Sequence, residues 1–190
     1  MSARVTVCVD FKNPHAWLAI APTRALEAKL GTAFDWRPRS VAPIARPTPL
    51  GPGSSRGERH RSIRAAYWVT DLARYAESRG LVLRDPYRSF DTTPFALALL
   101  HQRKTAPEKS GLFVERIFDA LWRQGVAAEA LSSGLETAAP EELAENEAEL
   151  ESLGVWNVPA YLVHGELFMG RQHLPMVEWL VGGRSGPPPI

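Results

Sequence analysis

The chain has 190 residues, a net charge of +1 and one cysteine, Cys8. That length suits one large domain, or a domain carrying an insertion, with apolar residues enough for a core. The near-zero charge argues against nucleic acid or an anionic membrane surface as partner, and a lone cysteine excludes an internal disulfide and any Cys-x-x-Cys redox or zinc site. No stretch reaches the ~18 apolar residues of a membrane span, and Met1–Arg4 run into a strand pattern rather than a signal sequence, so a cytoplasmic protein is expected.

In chain order, Val5–Val9 is a β-branched, uncharged run, as in a strand covered on both faces. Asn13-Pro14 then starts a helix, because Asn caps orphan N–H groups and Pro suits the first helical position. The helix is expected to reach Leu30 before Gly31, with Trp17, Leu18, Ala21, Ala25 and Leu26 on one side. Phe34–Arg37 reads as a second strand, parallel to the first. The Pro- and Gly-rich stretch Arg46–Gly57 is a linker, expected to close over a ligand.

Residues 58–153 carry helical periodicity without strands. Ile63, Tyr67, Thr70, Ala73 and Arg74 step along one face of the first helix there, Asp91-Thr-Thr-Pro94 opens a second, and Phe113, Ile117 and Leu121 mark a third. Pro140–Leu153 forms a fourth, whose glutamates read as a solvated face suiting the helix dipole. Val158–Val163 and Glu166–Met169 flank the two-residue turn His164-Gly165, a β-hairpin. Pro159 lacks an N–H, so it belongs at an edge or in a loop that something else approaches. A last helix follows, with Leu174, Val177 and Leu180 in its stripe and Gly182-Gly183 at its end; residues 183–190 form a tail expected to be mobile.

The order β-α-β, helical block, β-β-α is that of an α/β thioredoxin fold with an all-helical domain inserted between its halves. The halves are residues 1–45 and 154–182, joined through a linker at 46–57 and an insertion at 58–153. Three separated motifs carry a resemblance: Asp10-Phe-Lys-Asn-Pro-His-Ala-Trp-Leu18, Arg64-Ala-Ala-Tyr-Trp-Val-Thr-Asp-Leu-Ala-Arg74, and Gly154-Val-Trp-Asn-Val-Pro159 with Gly165-Glu-Leu-Phe-Met-Gly170. On these the chain resembles the DsbA-like thioredoxin-fold superfamily, and within it the 2-hydroxychromene-2-carboxylate isomerase and kappa-class glutathione transferase family.

The resemblance implies glutathione as cofactor, paired with the backbone at Val158 before Pro159, a proline that is cis in the superfamily. It places the glutathione sulfur at the start of the Asn13-Pro14 helix, where free N–H groups and the dipole favour a thiolate. It implies a small-molecule substrate, an aromatic or conjugated acid, and a homodimer. Two departures stand out. Asn13 replaces a family serine, offering an amide donor instead of a hydroxyl. Arg171-Gln172-His173 replaces Asn/Ser-Asp-Arg, so Gln172 presents a neutral carbonyl where a carboxylate would hold the glutathione α-amino group. Asn13-Pro14-His15-Ala16 also resembles the Cys-Pro-His-Cys of DsbA-type oxidoreductases with both sulfurs removed, which excludes disulfide exchange there.

Each candidate has a plainer reading beside the functional one. Asn13 is either a catalytic donor or only a helix cap. His15 is open to three readings, as a surface residue, a proton carrier or an anion ligand. Arg64, in place of a family lysine facing the ligand, is a carboxylate clamp or an exposed helix arginine. Tyr67, one turn before Asp71, contacts substrate or ties the insertion together. Trp156 walls a pocket for a flat substrate or packs in the core, as Trp17 does. Cys8 reads as buried packing. A glutathione-dependent isomerase or transferase is the leading expectation, with a non-catalytic binding protein as the alternative and, less favoured, a disulfide oxidoreductase whose only thiol would be Cys8.

Overall fold

The computed structural model describes residues 5–189. Met1–Arg4, read above as preceding the first strand, and Ile190, in the expected tail, lie outside them.

Strand β1 (Thr6–Val9) leads through a tight loop into α1 (Pro14–Leu30), and β2 (Asp35–Pro38) returns parallel to β1 with Val7 opposite Trp36. Helix α1 begins and ends where cap chemistry dictates: Asn13 accepts from two N–H groups at the start, and Gly31 takes the left-handed conformation, φ 61°, at the end. After the linker come α2 (Arg56–Glu77), α3 (Thr93–Thr105), α4 (Ser110–Phe118) with a π-helical turn over Asp119–Gln124, the short α5 (Ala128–Ser132), and α6 (Pro140–Ser152). The hairpin follows as β3 (Ala160–Val163) and β4 (Glu166–Met169), then α7 (Leu174–Val181).

The four strands lie in the order β2-β1-β3-β4, with β3 antiparallel to both β1 and β4. This is a thioredoxin-like α/β sheet. The hairpin turn is of the primed kind, since His164 (φ 53°) and Gly165 (φ 81°) both have positive φ. Val158 and Pro159, expected inside the first hairpin strand, instead precede it, because Pro159 has no N–H for the ladder.

One buried cluster runs through sheet and helices alike, from Val7, Val9 and Tyr161 to Phe95, Leu99 and Phe118. Helix α3 packs along β2, and its Arg103 grips the buried Asp35 through both carboxylate oxygens. Helix α6 is not simply a solvated acidic face. Its Glu149 takes both terminal nitrogens of the buried Arg37, its Glu147 pairs with Arg39, and its buried Asn146 donates to the Pro38 carbonyl at 2.7 Å. Arg37 in the strand needs a partner once buried, and Glu149 supplies it; Arg39, half-buried just after the strand, is held by Glu147.

Helix α1 contains Pro22, which cannot donate to the Leu18 carbonyl four residues earlier. Arg79, just beyond α2, donates to that carbonyl at 2.5 Å. A backbone acceptor freed by proline thus becomes the anchor that holds the end of α2 against α1. Within α4, Gly111 lies so close to Trp36 that a Cβ there would stand 2.9 Å from the indole nitrogen.

Two helices bury faces that their stripes of larger residues do not mark. Ala21 and Ala25 of α1 are exposed, while Ala16, Ala19, Ile20 and Thr23 are buried. In α2 the predicted stripe of Ile63, Tyr67, Thr70, Ala73 and Arg74 faces outward, and the buried side is Ser62, Ala65, Leu72 and Ala76. Small residues let α2 approach α1 closely, so its larger side chains are left for other surfaces. Among the described residues no helix is long and apolar enough to cross a membrane.

Candidate functional site

A cleft of about 460 Å³ opens where four segments meet: the first turn of α1, the outer face of α2, and the two loops that bracket the hairpin. The loop before β3 contributes Trp156, Asn157, Val158 and Pro159, and the chain after β4 contributes Gly170, Arg171 and Gln172. These loops lie side by side because the Gly170 N–H donates to the Pro159 carbonyl at 2.8 Å, one step beyond the β3–β4 ladder. The Val158–Pro159 peptide bond is cis. The Val158 N–H donates at 2.9 Å to the side-chain oxygen of Asn157.

Asn13 is 5% exposed and does not line the cleft. Its Oδ1 accepts from the N–H groups of His15 at 2.9 Å and Ala16 at 3.2 Å. The oxygen is thereby used as a helix cap, and the amide N–H group is the donor left to it. The preceding loop is fixed by the buried Asp10 carboxylate, which takes the Val41 N–H at 2.8 Å and the Lys12 ammonium at 2.6 Å.

His15 lines the cleft with its ring edge-on to Trp68, the centroids 5.5 Å apart. Its Nε2 is buried and has no hydrogen-bond partner. Burial lowers its pKa to about 4; Asp71 opposes this and Arg171 adds to it, so the imidazole is neutral at neutral pH. Arg171 lays its guanidinium over the ring of Tyr75, and its Nη2 is likewise buried and unpartnered. Burial also lowers the Arg171 pKa, against the influence of Tyr75 and Asp71. The Gln172 side chain folds back over Gly170 and donates to the Met169 carbonyl at 3.1 Å. Gly170 itself has φ 102°, and the Gln172 amide leaves no room for a Cβ above it.

The aromatic wall is Tyr67, Trp68, Tyr75 and Trp156, with Tyr67 57% and Trp156 65% exposed. Of the residues singled out from sequence, His15, Tyr67, Trp156, Val158, Pro159, Arg171 and Gln172 meet at this cleft, while Asn13 and Arg64 do not line it. Arg64 holds its guanidinium over the Trp68 ring, 5.7 Å from the centroid. Trp68 and Tyr75 join this wall, and Asp71 faces the cleft beside its expected role of tying the insertion together. The signal was present in the spacing: residues 67, 71 and 75 fall at successive i, i+4 positions, one stripe of a helix.

Cys8 is fully buried in β1, and burial pushes its thiol up to about 12. No thiolate is available there at neutral pH.

The chain matches the model of the DSBA-like thioredoxin domain over residues 4–181. Among solved structures it is similar to a 2-hydroxychromene-2-carboxylate isomerase, with a TM-score of 0.68 and 22% identity over 95% of each chain. It is also similar to a probable DsbA oxidoreductase from Streptomyces coelicolor, with a TM-score of 0.66 and 15% identity over 99% of this chain and 93% of that one. A third likeness is to the cytosolic disulfide reductase DsbM from Pseudomonas aeruginosa, solved with GSH, with a TM-score of 0.51 and 17% identity over 94% of this chain and 92% of that one. No curated protein sequence matches the chain. At these identities the structural likenesses establish a common fold.

Proposed function

The chain belongs to the DSBA-like thioredoxin domain family, and from that premise we propose that it is a glutathione-dependent isomerase or transferase acting on an aromatic or otherwise conjugated organic acid. The observation that carries this reading is the pair of buried, unpartnered nitrogens, His15 Nε2 and Arg171 Nη2, in one cleft with four aromatic side chains. A buried donor without a partner is costly, and a ligand oxygen at Arg171 would satisfy it. Disulfide exchange is a poorer reading, because Asn13 and Ala16 stand where it would need sulfur and Cys8 is sealed in the sheet.

The residues present fit glutathione. Arg171 would take a carboxylate of the tripeptide, and the Val158 carbonyl would accept from one of its peptide N–H groups, the Val158 N–H being engaged by Asn157. When bound, glutathione supplies a nucleophilic sulfur for addition to a conjugated substrate. The first turn of α1 offers N–H groups and a dipole that favour an anion beside it. The Asn13 amide would add one donor at that point. His15, neutral and with Nε2 unpartnered, can hydrogen-bond a bound group at that atom. Tyr67, Trp68 and Trp156 present flat apolar surface for a conjugated ring and keep water from it.

A non-catalytic binding protein is the second reading. It is favoured by Asn13, whose carbonyl is committed to the cap and which lies off the cleft wall.

Calorimetric titration with reduced glutathione, followed by a spectrophotometric assay of 2-hydroxychromene-2-carboxylate isomerisation, tests the proposal. Saturable binding and glutathione-dependent turnover are expected, and no heat at millimolar glutathione would overturn it. Two variants at position 13 separate cap from catalyst. Asn13→Asp retains a capping oxygen and loses the amide donor, so its unfolding midpoint should hold while turnover falls about tenfold to a hundredfold. Asn13→Ala should also lose about 1 kcal/mol of stability, read by urea unfolding. Binding with unchanged turnover in Asn13→Asp would assign Asn13 to the cap alone.

A further inference from the structure

The same cleft holds a feature that an acid-binding pocket alone does not require. Asp71 lines it from α2, partly buried, and its carboxylate forms no hydrogen bond or ion pair with any described residue. Arg171 lines it from the opposite loop, with Nη2 buried and free. The two charges feel one another, each entering the electrostatic surroundings of the site, yet they do not form an ion pair. Two opposite charges that face a common space and do not close on each other are held apart by what carries them. Arg171 is spread on the face of Tyr75, and Asp71 sits one turn before Tyr75 on a fixed helix.

The other nearby bases do not serve as counter-ions to Asp71. His15 is uncharged at neutral pH, Arg79 is engaged with the Leu18 carbonyl, and Arg64 lies against Trp68. Gln172, which stands where the family resemblance expects a carboxylate, has its amide turned to the Met169 carbonyl.

We propose that Asp71 and Arg171 together form a receptor for an α-amino acid zwitterion, Asp71 taking the ammonium and Arg171 the carboxylate of one head group. A plain acid would satisfy Arg171 and leave Asp71 facing a like charge; a plain amine would do the reverse. A ligand that carries both charges on one carbon satisfies both walls at once. The Trp68 ring, which also lines the cleft, adds a further attraction for the ammonium. On the glutathione reading, on which the choice of ligand rests, the head group is the α-amino acid end of the γ-glutamyl residue. Asp71 then does from α2 what Gln172 cannot do from the loop after β4.

Three probes test this by calorimetry at pH 7: reduced glutathione, its desamino analogue glutaryl-cysteinyl-glycine, and free L-glutamine, which carries the head group without a thiol. Glutathione should bind about tenfold tighter than the desamino analogue, and Asp71→Asn should shrink that ratio to below about threefold. Arg171→Gln should weaken both tripeptides together. Because Asp71 makes no bond within the protein, Asp71→Asn should leave the unfolding midpoint unchanged; a shift in the midpoint with an unchanged ligand ratio would assign it a structural role and overturn the proposal. Equal binding of glutathione and its desamino analogue would also overturn the receptor while leaving the cofactor in place. L-Glutamine binding that Asp71→Asn abolishes, with no binding of glutathione, would keep the receptor and remove the cofactor. No binding by any probe would overturn both.

Discussion

Glu27→Ala is expected to cost about 3 kcal/mol of folding stability, measured as the shift in urea unfolding free energy. Glu27 is a buried carboxylate in α1 that fastens the start of β2 to the helix. Its Oε1 accepts the Phe34 N–H at 2.6 Å and the Trp36 indole N–H at 3.4 Å, and its Oε2 meets the Arg24 guanidinium. Alanine there leaves a buried backbone donor and a buried indole donor with no acceptor, and water has little access where Phe34 and Trp36 are almost wholly covered. Gly111 brings α4 against the same spot, so the neighbours have little freedom to close over the loss. Glu27→Gln supplies the control. It keeps a carbonyl for the Phe34 N–H and should cost about 1 kcal/mol. Equal losses in the two variants would show that the charge, rather than the acceptor to the backbone, is what β2 depends on.

The second large effect is one of acidity. Burial lowers the His15 pKa from 6.5 to about 4 in the folded chain. On lowering the pH the unfolded chain takes up this proton first, so protonation draws the equilibrium toward unfolding. The stability tied to a neutral His15 is therefore complete above about pH 6.5 and lost progressively down to about pH 4, a total of about 3 kcal/mol. The charged groups facing the imidazole are Asp71, which moderates the shift, and Arg171, which deepens it. In urea unfolding at pH 7.0 and 4.5, His15→Phe should retain a ring against Trp68 and lose less stability across this interval than the natural chain. Parallel losses would mean that carboxylates elsewhere, and not His15, govern the acid response.

The elements whose limits rest on local chemistry could be read directly from the sequence. Asn13, Pro14 and Gly31 fix both ends of α1, and His164-Gly165 fixes the hairpin. What periodicity could not reveal was which side of α2 is buried. Its buried side is Ser62, Ala65, Leu72 and Ala76, with Leu72 the one large apolar residue, and it spends Tyr67, Trp68 and Tyr75 on the cleft. A reading that equates large apolar side chains with the core turns such a helix around. The same reversal hid Asp71, which belongs to the outward stripe. The acidic face of α6 was misjudged for a related reason: Arg37 and Arg39 sit more than a hundred residues earlier, and no local pattern shows that a buried arginine awaits Glu149 or Glu147. The cleft itself was legible in part, because Pro159 and Gly170 punctuate the loops that form it.

The position of β1 in the sheet has a consequence for the growing chain. One side of β1 is paired by β2 almost at once, but the other waits for β3, whose Leu162 lies opposite Thr6. During synthesis the helical segments between them emerge while that side of the first strand still offers unpaired N–H and C=O groups beside Val7 and Cys8. The sheet is completed only when the last fifth of the chain leaves the ribosome, so the nascent protein must carry an open apolar edge through most of its translation. Chains halted before residue 160 should accordingly be captured by chaperones or aggregate, whereas those extending past Met169 can close the sheet.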